Sequence, residues 1–134
     1  LKKKNIETKA VFVDEVTEVN ADPNKIQRVI QNLLDNAIKF TPDGGEIKVE
    51  TTLKGNKVLV SVKDSGIGIK EDEKRKVFER FFKADSSRGL DKTGVGLGLS
   101  IVKEFIKAHG ETIEVKSEEG KGTEFIFTLE KSKE

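Results

Sequence analysis

Lys57-Val-Leu-Val-Ser-Val-Lys-Asp-Ser-Gly-Ile-Gly-Ile69 keeps a period of two and then abandons it. Val58, Val60 and Val62 recur at every second position, as in a strand with one buried face, and the pattern stops at Asp64, where Ser65-Gly-Ile-Gly68 turns the chain. Upstream, Ile47, Val49, Thr51 and Leu53 keep the same period, and Gly55-Asn56 between the runs is a tight-turn pair. The two runs make a hairpin. Its second strand delivers one acidic residue to a glycine turn.

Before this hairpin, Asp22-Pro23 predicts a helix start, because Asp caps exposed amides and Pro at the first helical position loses no bond. Ile26, Val29, Ile30, Leu33, Leu34 and Ala37 follow at helical spacing and define a buried face. Asn32, Asn36 and Lys39 fall along one flank of it. Thr41-Pro42 stops the helix and Asp43-Gly44-Gly45 turns the chain. Earlier still, Lys9–Val13 and Val16–Val19 read as short strands joined at Asp14-Glu15, a first hairpin.

Beyond Ile69, Lys70–Phe78 reads as a short charged helix, followed by the apolar pair Phe81 and Phe82. Residues 83–96 are long and polar, more a functional lid than a packing element. A second helix is expected from Leu97 to Ala108, with Ile101, Val102, Phe105 and Ile106 inward and Gly110 as its stop. Ile113 and Val115, then Phe125, Phe127 and Leu129, alternate as two final strands around Gly120-Lys-Gly122. Hairpin-joined strands with few, one-sided helices predict an α+β two-layer sandwich. Its mixed, mostly antiparallel sheet would have about five strands, with about three helices on one face and a wet face opposite.

The 134 residues are one domain's worth, 34% hydrophobic and 37% charged, enough for a single core. Twenty-five basic and 24 acidic side chains leave a net charge of +1, so no broad basic field invites nucleic acid. The absence of cysteine removes disulfides and thiolate metal sites, and a lone histidine, His109, supports neither a zinc site nor a histidine-based triad. No apolar run is long enough to cross a bilayer. The chain begins at Leu1 rather than Met and reads as a piece of something longer, a cytoplasmic segment whether or not its parent is membrane-anchored.

Gly94-Val-Gly-Leu-Gly98 stands just before a helix, where free amides and the helix dipole favour an anion such as phosphate; a plain hinge is the competing reading. A dinucleotide fingerprint would need glycine where Leu99 stands, and no G-x-x-x-x-G-K-[ST] occurs. Taken alone, Asp64 before Gly66 reads as an Asx-type turn. The functional reading makes it an acceptor for an exocyclic amine such as that of adenine, with Gly68 leaving room for a flat ring. Asn32 and Asn36, one turn apart, could turn both carbonyl oxygens to one ligand, and a hard cation shared with phosphates needs few protein oxygens.

Four stretches in this order resemble the ATP-binding catalytic domain of sensor histidine kinases, within the wider group that includes gyrase, Hsp90 and MutL and shares the Bergerat fold. Asn32-Leu-Leu-Asp-Asn-Ala-Ile-Lys39 is similar to the asparagine box, Asp64-Ser-Gly-Ile-Gly68 to the first glycine box, Phe78-Glu-Arg-Phe-Phe82 to the phenylalanine box, and Gly94-Val-Gly-Leu-Gly98 to the second glycine box. The resemblance extends from about Asn20 to Leu129 and implies that residues 1–134 form one such catalytic domain.

The same resemblance implies roles. Asp64 would hold the adenine amine in a pocket shaped by Gly66, Gly68 and Ile69; Asn36 would ligate Mg²⁺ with Asn32 beside it; Lys39 would approach phosphate and Phe40 would flank the nucleotide. Gly94, Gly96, Leu97 and Gly98 would form the lid hinge and its phosphate-facing amides, and Thr123 would hold the water network around adenine. Lys83 stands where these kinases often carry an arginine that reaches the terminal phosphate; a lysine lacks its bidentate fork, and Arg88 is a candidate substitute. Glu111 stands where the second glycine of a usual His-Gly-Gly would be, and Phe40 stands where tyrosine is common.

Relatives that hydrolyse ATP use a glutamate four residues before the metal-binding asparagine to activate water. Asn32 occupies that position and takes no proton at neutral pH. The resemblance therefore implies phosphoryl transfer from Mg-ATP, with Asn32, Lys39 and Lys83 positioning and neutralising charge. The acceptor would be a histidine on a separate helical dimerisation domain, with a response regulator served indirectly. His109, lacking an acidic neighbour, reads as a helix-closing residue, so the chain alone is expected to bind ATP without autophosphorylating. The alternative is a serine kinase of the anti-sigma-factor type on the same fold; a docking module would bind no nucleotide.

Overall fold

The computed structural model describes residues 5–12, 18–79 and 98–132. The central hairpin forms as its alternation requires: β3 (Glu46–Lys54) and β4 (Lys57–Asp64) pair antiparallel, from Ile47 opposite Asp64 to Lys54 opposite Lys57. On its other edge β4 pairs antiparallel with β6 (Gly122–Lys131), with Asp64 opposite Thr123. β5 (Ile113–Glu118) pairs with β6 in turn.

Two α-helices lie on one face among the described residues, α1 (Pro23–Phe40) and α2 (Gly98–Ala108). Asp22 caps α1, its Oδ1 accepting from the Asn24 and Lys25 amides at 3.0 and 3.3 Å. Thr41 is already extended, because Pro42 follows, and its buried hydroxyl donates to the Ala37 carbonyl at 2.6 Å. Val29 and Leu33 are wholly buried against Val58, Val60, Val62, Phe125 and Phe127, with Val102 and Ile106 from α2 completing the core. Each such side chain contributes about 1.5–3 kcal/mol of burial. Alternation sends Lys48, Glu50, Lys63 and Glu124 to the opposite face, where Lys48 pairs with Glu50 and Ser61 donates to Glu124.

α1 and α2 lie side by side, the start of one by the end of the other. Asp22 donates its amide to His109 Nε2 at 3.0 Å, while His109 Nδ1 lies 2.8 Å from the Phe105 carbonyl. His109 thus closes α2 as expected, next to Gly110 at φ +72°.

Two expectations are corrected. β1 (Glu7–Phe12) and β2 (Val19–Asn20) do not form a hairpin: β1 runs parallel to β3 at one edge of the six-stranded sheet, and β2 pairs with the end of β6 at the other. Alternation announces that a strand exists but carries no information on its partner, and α1 lies in the crossover that a parallel pair needs. Lys70–Phe78 is a run of turns with one 3₁₀ turn at Lys74–Lys76, because its apolar residues Val77 and Phe78 are adjacent and leave no helical stripe. The mixed, mostly antiparallel sheet of about five strands is borne out, with six strands among the described residues.

Candidate functional site

The end of α1 and the turn after β4 are stitched together. The first turn amide to meet the helix is that of Ile67, which donates to the otherwise orphaned Phe40 carbonyl at 3.1 Å. A side chain at Gly66 would run into that same carbonyl oxygen, so glycine is required there for packing. Asn32, Asn36, Lys39 and Phe40 line this end of α1, all half-buried, and the Lys39 ammonium lies 5.7 Å from the Phe40 ring centre.

The other flank of the turn is fastened to the β5–β6 connection. Gly120 donates to the Ile67 carbonyl at 2.7 Å, and the Ile69 amide donates to Ser117 Oγ at 2.8 Å. Gly68, at φ +75°, sits against the Glu118 backbone where a Cβ would collide. Gly122, at φ +113°, faces the Asp64 carbonyl in the same way.

Asp64 is 5% exposed at the bottom of this arrangement. Its Oδ1 accepts the Gly66 amide at 2.8 Å, which makes it the Asx turn that its sequence context suggests. The turn and the ligand readings are compatible, since one bonded oxygen leaves the carboxylate further acceptor capacity. Burial pushes the Asp64 carboxyl above its ordinary value, while amide bonds from Gly66 and Thr123 act against the rise.

Thr123, buried directly across from Asp64, has its hydroxyl 2.9 Å from Ser117 Oγ. Sequence reasoning missed Ser117. The signal was present, because Ser117 follows Ile113 and Val115 in the inward register of β5, where an apolar residue is expected.

Asn32 Nδ2 reaches the Gly98 carbonyl at 3.5 Å, a long contact that sets the asparagine flank of α1 beside the start of α2. The structure therefore brings together Asn32, Asn36, Lys39, Phe40, Asp64, Gly66, Gly68, Ile69, Gly98 and Thr123. Lys83, Arg88, Gly94, Gly96 and Leu97 lie outside the described residues, as does the phenylalanine box beyond Glu79. Phe78 packs edge-on against Phe125, ring centres 5.9 Å apart.

Among the described residues no group of three or more His, Cys, Asp or Glu side chains converges as a metal cage. A cation here would have to draw most of its ligands from a bound anion and water. A separate groove of about 610 Å³ between β2 and the first half of α1, lined by Val19, Ala21, Ile26 and Ile30 among others, shares no residue with this set.

Comparison with known proteins agrees with this geometry. The family described as "Histidine kinase-, DNA gyrase B-, and HSP90-like ATPase" matches residues 21–133. The sensor histidine kinase WalK of Bacillus subtilis (strain 168) is 42% identical over 113 residues, 83% of this chain and 18% of WalK. The chain thus spans less than a fifth of that curated relative. The nucleotide-free catalytic domain of histidine kinase ThkA superposes with a TM-score of 0.81 at 37% identity, covering 96% of this chain and 82% of that one. Full-length ShkA in complex with AMPPNP gives 0.80 at 29% identity, covering 96% and 27%. The chain belongs to the histidine kinase-, DNA gyrase B- and HSP90-like ATPase family, with the fold of histidine kinase catalytic domains.

Proposed function

We propose that this chain binds Mg-ATP and donates the γ-phosphoryl group to a histidine on a separate dimerisation domain, as the catalytic part of a two-component sensor histidine kinase. The observation that carries the reading is Asp64: a nearly buried carboxylate, held by a turn locked between α1 and the β5–β6 connection. An acceptor so placed suits the amino group of adenine. ShkA, similar in fold, is solved with AMPPNP, which supports a nucleotide in the corresponding cleft.

The remaining roles follow from position. Asn32 and Asn36 lie one turn apart, with Asn32 beside Gly98, and Asn36 would offer one neutral oxygen to a cation whose other ligands are phosphate and water. When bound, Mg²⁺ neutralises charge on the phosphate oxygens. Lys39 is set to meet phosphate, and Phe40 to flank the nucleotide. Neutral Asn32 stands where a water-activating base would be needed, so the site disfavours hydrolysis and favours transfer to a group brought in from outside. Lys83 or Arg88 would complete the cationic shell, with Gly94, Gly96, Leu97 and Gly98 supplying lid amides.

Calorimetric titration with a non-hydrolysable ATP analogue tests this. Saturable binding that strengthens with Mg²⁺ is expected. No heat with or without Mg²⁺, in a folded sample, would leave a docking module as the better reading.

A further inference from the structure

Ser117 makes three contacts through one oxygen: the Ile69 amide at 2.8 Å, the Gly122 carbonyl at 2.8 Å and Thr123 Oγ1 at 2.9 Å. A hydroxyl has one proton and two lone pairs. The Gly122 carbonyl can only accept, so the Ser117 proton goes there. The Ile69 amide takes one lone pair. What remains facing Thr123 is the second lone pair, and Thr123 must therefore donate to Ser117.

Thr123 lies directly across from Asp64, and cross-strand partners share a face. With its proton turned toward Ser117, Thr123 Oγ1 has only lone pairs left for the pocket. Ionised Asp64 is an acceptor as well. The nearby amides of Gly66, Ile67 and Ile69 are already spent on Asp64, Phe40 and Ser117.

We propose that Ser117 is a positioning residue for base selection. By forcing Thr123 to donate to it, Ser117 makes the base edge of the pocket a pair of acceptors, which favours a purine with an exocyclic amine over one with a carbonyl there. A carbonyl at that edge would face lone pairs and leave its own hydrogen bond unmade, the kind of mismatch that discriminates strongly. This rests on the ATP reading and adds the basis of base preference to it.

The test measures dissociation constants of the 134-residue chain for Mg-ATP and Mg-ITP, which carries a carbonyl in place of the amine. The unsubstituted chain prefers ATP. In Ser117→Ala the freed Thr123 hydroxyl can turn and donate, and the ITP-to-ATP ratio of dissociation constants falls about tenfold, the order of one hydrogen bond made or missed. Ser117→Thr, which restores the hydroxyl, restores the ratio. Thr123→Val, which removes the oriented acceptor itself while the Ser117 hydroxyl stays in place on Ile69 and Gly122, also lowers the ratio and carries the test if Ser117→Ala does not fold. Equal weakening toward both nucleotides, with the ratio unchanged, reduces Ser117 to a loop fastener and overturns the proposal. If the unsubstituted chain binds neither nucleotide, the ATP reading falls and this inference falls with it.

Discussion

Asp64 illustrates a conflict between stability and use at a single residue. Burial raises its carboxyl pKa and the Gly66 and Thr123 amides only oppose the rise. A carboxyl raised in the fold stabilises it below the ordinary value of 3.8, and that contribution disappears as pH climbs through the folded value. Once ionised, the group therefore costs stability. Asp64→Asn keeps an oxygen for the Gly66 amide and removes the buried charge, so its melting temperature at pH 7 is expected to match or exceed the parent's, with the gap closing below pH 4. ATP affinity falls about 10- to 100-fold, as for loss of a charge-assisted bond. Melts across pH beside titrations check both, and a lower midpoint at pH 7 contradicts the assignment. In the sequence the turn and ligand readings of Asp64 looked like rivals, because one dimension shows the neighbours of a carboxylate and not its spare lone pairs. Ser117 escaped notice for the same reason: its three partners lie 5, 6 and 48 residues away.

At the scale of elements, the junction of β4 and β6 depends on Gly122, whose φ of +113° and approach to the Asp64 carbonyl exclude a side chain. Gly122→Ala is expected to cost about 2–3 kcal/mol in urea unfolding, from backbone strain plus displacement of β4. Glu111 binds elements together. Its side chain is 7% exposed, paired with Lys57 at 2.7 Å, and accepts the Thr128 hydroxyl at 2.7 Å. Burial raises its pKa, but the bonds from Lys57 and Thr128 and the charge of Lys57 prevail and hold it below 4.5. A lowered carboxyl stabilises the fold above its ordinary value and loses that contribution as pH falls through the folded one. Glu111→Gln should cost about 1–2 kcal/mol at pH 7 and almost nothing in strong acid, a difference that urea melts at the two pH values would reveal. Elements with a clear period, α1, β3, β4 and β6, were legible in the sequence. Lys70–Phe78 was not, since charge order suggested a helix that its two adjacent apolar residues could not anchor.

Over the whole molecule, the engagement of the single histidine bears on what the chain can do unaided. Nδ1 of His109 is engaged by the Phe105 carbonyl and Nε2 by the Asp22 amide, which leaves no ring nitrogen free to attack phosphorus. Incubated with γ-labelled ATP, the purified chain is expected to stay unlabelled; acid-labile label on it would overturn the proposal of a separate acceptor. The two-layer architecture was readable from hairpins and one-sided helices. The outer strands were not, because β1 and β2 owe their places to β3 and β6, 39 residues or more along the chain.

The turn from Ser65 to Ile69 is fastened on both flanks. Its amides should therefore resist hydrogen exchange as strand amides do, with those of Gly66, Ile67 and Ile69 opening only when the sheet itself melts. On the proposed reading, a purine arriving there would meet a surface whose ordering entropy was already spent during folding, and that half of the site would contribute to affinity without a reorganisation penalty.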